Sequence, residues 1–402
     1  MKFFYRFGVR LYAFAVRLAS FWNPKAKEWM RGRDLVWKDL ESWKRSDSPV
    51  YWFHCASLGE FEQGRPLMER LKQEQTCQLV ITFFSPSGYE IRKNYEGADL
   101  VICLPRESVK NANRLLDFLQ PTAAFFIKYE FWATYLMESK KRGVKLYSIA
   151  AVFRDHHLFF KWYGGYMRKV LRLFDFIFVQ DEMSKNKLAS IGVEAICAGD
   201  TRYDRVMENA SRVISYPPIA QFIGGEKVLV IGSSWKEDEE VLFNFLKSNR
   251  FNWKVIIAPH EINGSHLESI EKEVGLACIR YSNLSSHSTG QERVLIIDNI
   301  GMLMNVYQYA NIAYVGGAFG KGLHNILEPA CFGVPVIFGN NYAKFNEAYD
   351  FIQHKIGYSI SNTEDFERAF EELRIEDRKD LVLQFMQSKL GATALILDHI
   401  KA

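Results

Sequence analysis

Short apolar runs and segments with apolar residues three and four apart alternate along most of this chain. The first pattern predicts strands and the second predicts the helices between them. An apolar strand over 51–55 runs into Ser57-Leu58-Gly59-Glu60, and a helix follows with Leu67, Met68 and Leu71 on one face. Further strands are predicted at 78–84, 100–104, 123–128, 144–151, 176–180 and 195–199, with helices at 89–94 and 109–119 among them. Alternation of this kind implies a parallel sheet covered by helices. A stretch at 211–225, carrying Pro217-Pro218 and Gly224-Gly225, reads as a linker. The pattern then restarts with strands at 228–231, 255–258, 294–297 and 312–315. The chain is therefore read as α/β with two domains, 36–210 and 226–402, joined by 211–225 and preceded by a distinct segment, 1–35.

That first segment has its own pattern. At about 100° per residue, Arg6, Arg10 and Arg17 fall within roughly 40° of one another, with Lys2 and Ser20 alongside. Phe4, Val9, Leu11, Ala15, Leu18 and Trp22 occupy the other faces. No uncharged run approaches the ~18 residues of a spanning helix, and no small-residue cleavage site follows. A wide apolar surface with one cationic stripe predicts a helix lying in the headgroup plane against anionic lipid.

The totals agree with this division. A length of 402 residues favours two domains, and 48% hydrophobic with 24% charged residues is globular. The net charge is +4, yet residues 1–50 hold eleven Lys/Arg against five Asp/Glu. A basic start on a near-neutral body points to an anionic surface. The six cysteines never form C-x-x-C and sit mostly in apolar runs, so they read as reduced core residues with no zinc pattern.

Candidate chemistry collects just past the strands, where open α/β sheets keep their ligands. Glu60 follows the first strand on a small-residue turn, although Ser57-x-x-Glu60 is also a capping box. Glu130 follows the fourth strand, flanked by aromatics. Arg202, in Ala198-Gly199-Asp200-Thr201-Arg202-Tyr203-Asp204, either holds a phosphate or pairs with Asp200 or Asp204. In the second half, Gly232-Ser233-Ser234 before an acidic helix start makes a generic anion site. Gly316, Gly317, Gly320 and Gly322 let the backbone approach a ligand. Asn325 and Glu328 follow, as a capping pair or as acceptors for ribose hydroxyls.

Several stretches in order carry a likeness to one family. They include HCASLGEFEQGRPL at 54–67, KYEFWATYL at 128–136, GDTRYD at 199–204, GSSWKEDEEVL at 232–242, DNIGML at 298–303 and VGGAFGKGLHNILEPACFGVPVIFG at 315–339. The chain resembles the 3-deoxy-D-manno-octulosonic acid (Kdo) transferases of lipopolysaccharide synthesis over nearly its whole length. The resemblance implies a GT-B glycosyltransferase fold, two Rossmann-like domains facing a central cleft, with a membrane-associated N-terminal helix. It implies CMP-Kdo as donor, a lipid A precursor as acceptor, and no cofactor, metal or nucleic acid. The place of work would be the cytoplasmic face of the cell inner membrane, on anionic lipid. Carried over by position, Glu60 is the general base, and Glu130 and Arg202 stabilise the transition state. CMP would contact Pro259 and His260, Ile300 to Met302 (with Gly301), and Asn325, Ile326, Leu327 and Glu328; Ser233 and Ser234 of the anion turn and Gly316 and Gly317 join that set from their strand-end placement. Arg202 stands where the family has lysine, Ala258-Pro259-His260 lacks the family's arginine, and Lys128-Tyr129 replaces its approach to Glu130. The alternatives are another inverting GT-B transferase with a different sugar nucleotide, or a catalytically silent membrane-peripheral nucleotide-binding protein.

Overall fold

The computed structural model describes residues 2–247, 252–284, 288 and 290–401. Met1 and Ala402, the outer ends of the expected segments 1–35 and 226–402, lie outside the described residues. The chain forms two contact-defined units, Met1–Asp204 with Lys389–Ala402, and Arg205–Ser388.

The first unit holds a seven-stranded sheet. Its strands are β1 (Val50–Cys55), β2 (Gln78–Phe83), β3 (Leu100–Cys103), β4 (Ala123–Ile127), β5 (Lys145–Ala151), β6 (Phe176–Val179) and β7 (Ile196–Cys197). They lie in the order β3-β2-β1-β4-β5-β6-β7, and every pair is parallel. Alternate residues enter two cores, as a strand period of two requires. Val50, Trp52, Val80, Ala124 and Phe126 go to one, and Tyr51, Phe53, Leu79, Ile81 and Phe125 to the other. Both faces are apolar and covered, which explains why these strands read as continuous apolar runs. The strand order reverses between β1 and β4, so the loops that leave these two neighbours diverge and open a crevice at the sheet's carboxyl edge. Glu60 and Glu130 sit on those two loops.

The second unit repeats the plan with β8 (Val228–Ser234), β9 (Lys254–Pro259), β10 (Cys278–Arg280), β11 (Val294–Ile296), β12 (Ile312–Val315), β13 (Val336–Gly339) and β14 (Gly357–Ile360). The order is β10-β11-β9-β8-β12-β13-β14, again all parallel. Its reversal lies between β8 and β12, the strands that deliver Ser233-Ser234 and the glycine-rich loop. Two parallel-sheet units of this build are the GT-B class.

Three expected boundaries differ from the structure. The stretch read as a linker contains a helix, Pro217–Ile223, whose Ile219 and Ile223 are buried. The last helix, Ala392–Lys401, groups with the first unit. The Asp204 carboxylate accepts the Gly391 and Thr393 amides at 2.8 and 2.7 Å. Ile396 and Leu397 enter the core formed by Tyr51, Phe53 and Phe125. Helical period alone carries no record of which core a terminal helix joins.

At the other end, helices Lys2–Ala19 and Pro24–Ser42 are joined by a short turn, and the second continues past the expected boundary at 35. The first helix docks through one seam. Tyr5 packs against Tyr166, with ring centroids 5.6 Å apart, and donates to Glu107 Oε2 at 2.8 Å. Phe3, Phe4, Phe7, Leu11, Phe14 and Leu18 stay exposed. Among the described residues no helix is long and apolar enough to cross a membrane.

Candidate active site and nucleotide loops

Ser57 starts the helix Leu58–Glu74 and accepts the Glu60 amide at 3.4 Å. The expected reciprocal bond is displaced by one residue. The Glu60 carboxylate takes the amide of Ala56, the residue before the cap, and the Ser57 amide also favours its charged form. Glu60 is thus both helix-start acid and strand-end acid, folded back over the end of β1 and 9% exposed. Burial pushes its carboxyl up to about 8, and the charge of Glu130 pushes the same way. The Ala56 amide, Lys128 and the Ser57 amide oppose them. Lys128 reaches this place through a left-handed backbone, φ +62°, at the end of β4.

Glu130 is fixed by two groups that the sequence reading passed over. His54 Nε2 lies 2.9 Å from Glu130 Oε2, and Trp132 Nε1 donates to the same oxygen at 2.5 Å. His54 is fully buried. Its Nδ1 faces the Thr82 hydroxyl at 2.9 Å and the Thr82 carbonyl at 3.1 Å. Trp52 Nε1 donates to the same hydroxyl at 2.9 Å. The signal was present in the sequence. Trp52 and His54 are two apart on one strand, hence on one face, and a buried polar ring needs partners.

Arg202 turns back on its own loop. Its amide donates to Asp200 Oδ1 at 3.0 Å, and its Nε and Nη2 donate to Asp200 Oδ2 at 2.9 and 2.6 Å. Of the two acids weighed as partners, Asp200 takes it, while Asp204 caps the last helix. A half-buried guanidinium already held by a carboxylate presents an oriented charge at the end of β7.

In the second unit the loops after β8 and β12 are tied together by Asp238. Its carboxylate accepts the Tyr314 hydroxyl at 2.7 Å, the Gly317 amide at 2.9 Å and the Trp235 amide at 2.9 Å. A Cβ on Gly316 would stand 2.4 Å from the Ser233 carbonyl oxygen, so only glycine lets the strand ends approach this closely. Trp235 stacks on His260 with centroids 4.3 Å apart, and His260 lies 4.7 Å from His324. Trp235 Nε1 donates to His324 Nε2 at 3.1 Å. Burial and then the neighbouring His260 hold His324 down to about 4, so it stays neutral and keeps its Nε2 lone pair.

The expected nucleotide set therefore divides. Ser233, at φ +53° near the end of β8, is half-exposed, and His260, Ile300 and Gly301 lie on exposed loops, with Ile300 88% exposed. Pro259 ends β9 beside Ser234. Gly316 and Gly317 line the tied loop and offer only backbone. Asn325 accepts the Leu327 amide at 3.2 Å and donates through its side chain to Glu328 at 3.0 Å, a local pairing and not a capping box, since the helix Leu327–Ala330 starts on Ile326 without a side-chain cap. Met302, Ile326 and Leu327 are buried core side chains. The Ser234 hydroxyl is spent in the interior, donating to Glu239 at 2.8 Å beside His266.

Residues 32–205 match the family model described as 3-deoxy-D-manno-octulosonic-acid transferase (kdotransferase). A bifunctional glycosyltransferase/methyltransferase of Fusobacterium nucleatum is 27% identical over 378 residues, 88% of this chain and 58% of its own length. The chain thus spans little more than half of that relative. The 3-deoxy-D-manno-octulosonic acid transferase of Aquifex aeolicus is 25% identical over 317 residues, 77% of this chain and 82% of its own length. A putative UDP-N-acetylglucosamine 2-epimerase from Listeria monocytogenes superposes with a TM-score of 0.61 at 14% identity, over 88% of this chain and 96% of the epimerase. That last likeness is one of fold, and chemistry has to be argued from the site. Residues 32–205 thus carry the 3-deoxy-D-manno-octulosonic-acid transferase match, and most of the chain is similar to transferases that bear that name.

Proposed function

We propose that this chain moves Kdo from CMP-Kdo to a hydroxyl of a lipid A precursor of the lipid IVA type, with inversion at the anomeric carbon. The observation that carries the reading is Glu60, a buried carboxyl raised to about 8 at the β1/β4 reversal beside Glu130. A base is most useful when its proton affinity lies near the working pH. In the proposed step Glu60 takes the acceptor hydroxyl proton as that oxygen bonds to the anomeric carbon. The bond from that carbon to the phosphate oxygen breaks, and its electron pair leaves with cytidine monophosphate. Glu130, held by His54 and Trp132, and Arg202, oriented by Asp200, serve the charge that develops. The tied loops after β8 and β12 hold the nucleotide through backbone amides, with His260 and Glu328 at their edges. Cytidine monophosphate leaves as a stable anion, so activity is expected to survive a chelator.

The helix Lys2–Ala19 is proposed to seat the enzyme on the cytoplasmic face of the inner membrane. On the helical wheel its docked residues Tyr5, Val9, Ala13 and Val16 lie opposite Phe3, Phe4, Phe7, Leu11, Phe14 and Leu18. Arg6, Arg10 and Arg17 run along one edge of that exposed face. A second apolar face opposite the docking seam suits a bilayer interface, with arginine against anionic headgroups.

The test is incubation of the full chain with CMP-Kdo and a lipid IVA-type acceptor, read by product mass. A Kdo-lipid product that disappears in Glu60→Gln is the expected result. Turnover with a UDP-sugar and none with CMP-Kdo would overturn the donor assignment.

A further inference from the structure

Residues 158–163 expose more apolar surface than a connecting loop ordinarily does. Trp162 is 91% exposed, and Leu158 and Tyr163 are also exposed. The loop is nevertheless built. Phe159 is buried among Phe131 and Phe153, at 5.1 and 5.6 Å between ring centroids. Arg168 Nη1 donates to the carbonyls of Phe159 and Lys161 at 2.9 and 3.0 Å. A Cβ on Gly164 would stand 1.9 Å from the Leu158 carbonyl oxygen, so the turn closes only around glycine. Trp162 and Tyr163 rest edge to face at 5.4 Å. A pinned backbone thus holds an indole and a phenol in solvent, and the buried anchor lies one residue from Leu158.

The loop is also tied to the first helix, at its docked seam. Tyr166, three residues beyond Tyr163, is the ring that Tyr5 packs against. Glu107 accepts from that same Tyr5, and the charges of Glu107 and Arg6 both act on Tyr166. The loop and the helix therefore share one half-buried clamp, and Arg6, at the cationic edge of the helix's exposed face, acts on it. Their charge is one-sided. Residues 1–33 carry eight Lys/Arg and a single acid, Glu28, while 156–172 carry Lys161, Arg168, Lys169 and Arg172 with no acid.

We propose that loop 158–163 is the second half of the membrane footprint, with Trp162 and Tyr163 at headgroup level of an anionic bilayer and Leu158 below them. The occupant follows from charge and chemistry. Indole and phenol rings favour the interface between headgroups and acyl chains, and each nearby lysine or arginine adds attraction to an anionic surface. A second contact outside the helix axis fixes rotation about that axis, which a single helix leaves free. The proposal rests on the membrane reading of the first helix.

The full chain is sedimented with vesicles of phosphatidylcholine containing phosphatidylglycerol, and with phosphatidylcholine alone. Leu158→Ser/Trp162→Ser should lower partitioning to the anionic vesicles about tenfold, as loss of a buried indole and a leucine predicts, with an unchanged thermal midpoint. Phe3→Ser/Phe7→Ser/Phe14→Ser should lower it as well. Loss in the helix variant alone overturns the loop's role and leaves the membrane reading standing. Loss in neither overturns both. Trp162→Phe supplies a second measurement, since it should keep binding and lose a component of the fluorescence quenched by brominated lipid. Quenching equal to the parent's overturns the placement of Trp162, and a protein rather than a lipid partner would give that result.

Discussion

His54 Nε2 lies 2.9 Å from Glu130 Oε2, and Trp132 Nε1 reaches the same oxygen at 2.5 Å. An ionised Glu130 only accepts, so the proton of the first contact sits on His54. Nδ1 then accepts from the Thr82 hydroxyl. In the proposed step His54 is a positioning residue, because it fixes one carboxylate oxygen of Glu130. His54→Asn should lower kcat roughly tenfold, with the KM for CMP-Kdo little changed, since uniform binding is untouched. Stability should fall by about 1–3 kcal/mol from the buried groups left unpaired. Steady-state kinetics with chemical denaturation reads both. A KM effect equal to the kcat effect would count against the positioning role.

The raised Glu60 carboxyl predicts the acid limb of the pH profile. Only the ionised form takes a proton, so kcat/KM should rise about tenfold for each pH unit and level off above about 8. Glu60→Gln should lose at least ~10²–10⁴-fold in rate while CMP still binds. A limb that levels off near the ordinary carboxylate range of about 4.5 would assign the base elsewhere.

Glu130 supplies part of that rise by its charge, second after burial. In Glu130→Gln the neighbouring charge is gone, so Glu60 ionises more easily. The limb should move to lower pH even as kcat falls. A limb that stays in place would separate the two acids electrostatically.

The chain's pattern and its strand-end chemistry were legible at different depths. The strands read as apolar runs because both faces of each sheet are covered, and the placement of Glu60, Glu130 and the 316–328 loop past strand ends followed from that. Strand order was not legible, since every connection is a crossover and local pattern does not say on which side the next strand lies. Hence the reversals at β1/β4 and β8/β12 came only with the structure. Ser234 and Ile326 illustrate the same limit. A small-residue turn beside a strand looks the same whether its hydroxyl faces a ligand or, as here, Glu239. The Asp238 knot was hidden because Tyr314 and Gly317 are far from it in sequence.

Glu60 also ties stability to pH. Its folded value, about 8, lies above its ordinary value near 4.5, so the folded chain holds a proton that the unfolded chain releases between those values. Stability from this group is therefore full below about 4.5 and is lost as pH rises toward 8. At ~1.4 kcal/mol for each tenfold change in proton affinity, the loss is on the order of 5 kcal/mol. Glu60→Gln keeps an acceptor for the Ala56 amide and has no proton to lose. It should be more stable than the parent at pH 9 and close to it at pH 4.5, measured by denaturant midpoints.

Asp238 offers a test confined to the second unit. Its two oxygens take three donors, the Tyr314 hydroxyl and the amides of Gly317 and Trp235, and the side chain has no exposure. Alanine would orphan all three at once, so the loops after β8 and β12 should part. CMP affinity should fall tenfold or more, alongside a stability loss of roughly 2–4 kcal/mol. Asparagine behaves differently. Its oxygen can serve the two amides while its NH2 faces the Tyr314 hydroxyl, which accepts as well as donates. CMP binding in Asp238→Asn should stay within about threefold of the parent, by calorimetric titration. If alanine binds CMP as tightly as the parent, the tied loops do not form the nucleotide site. If asparagine is as damaging as alanine, the charge of Asp238 matters to the nucleotide more than the knot it ties.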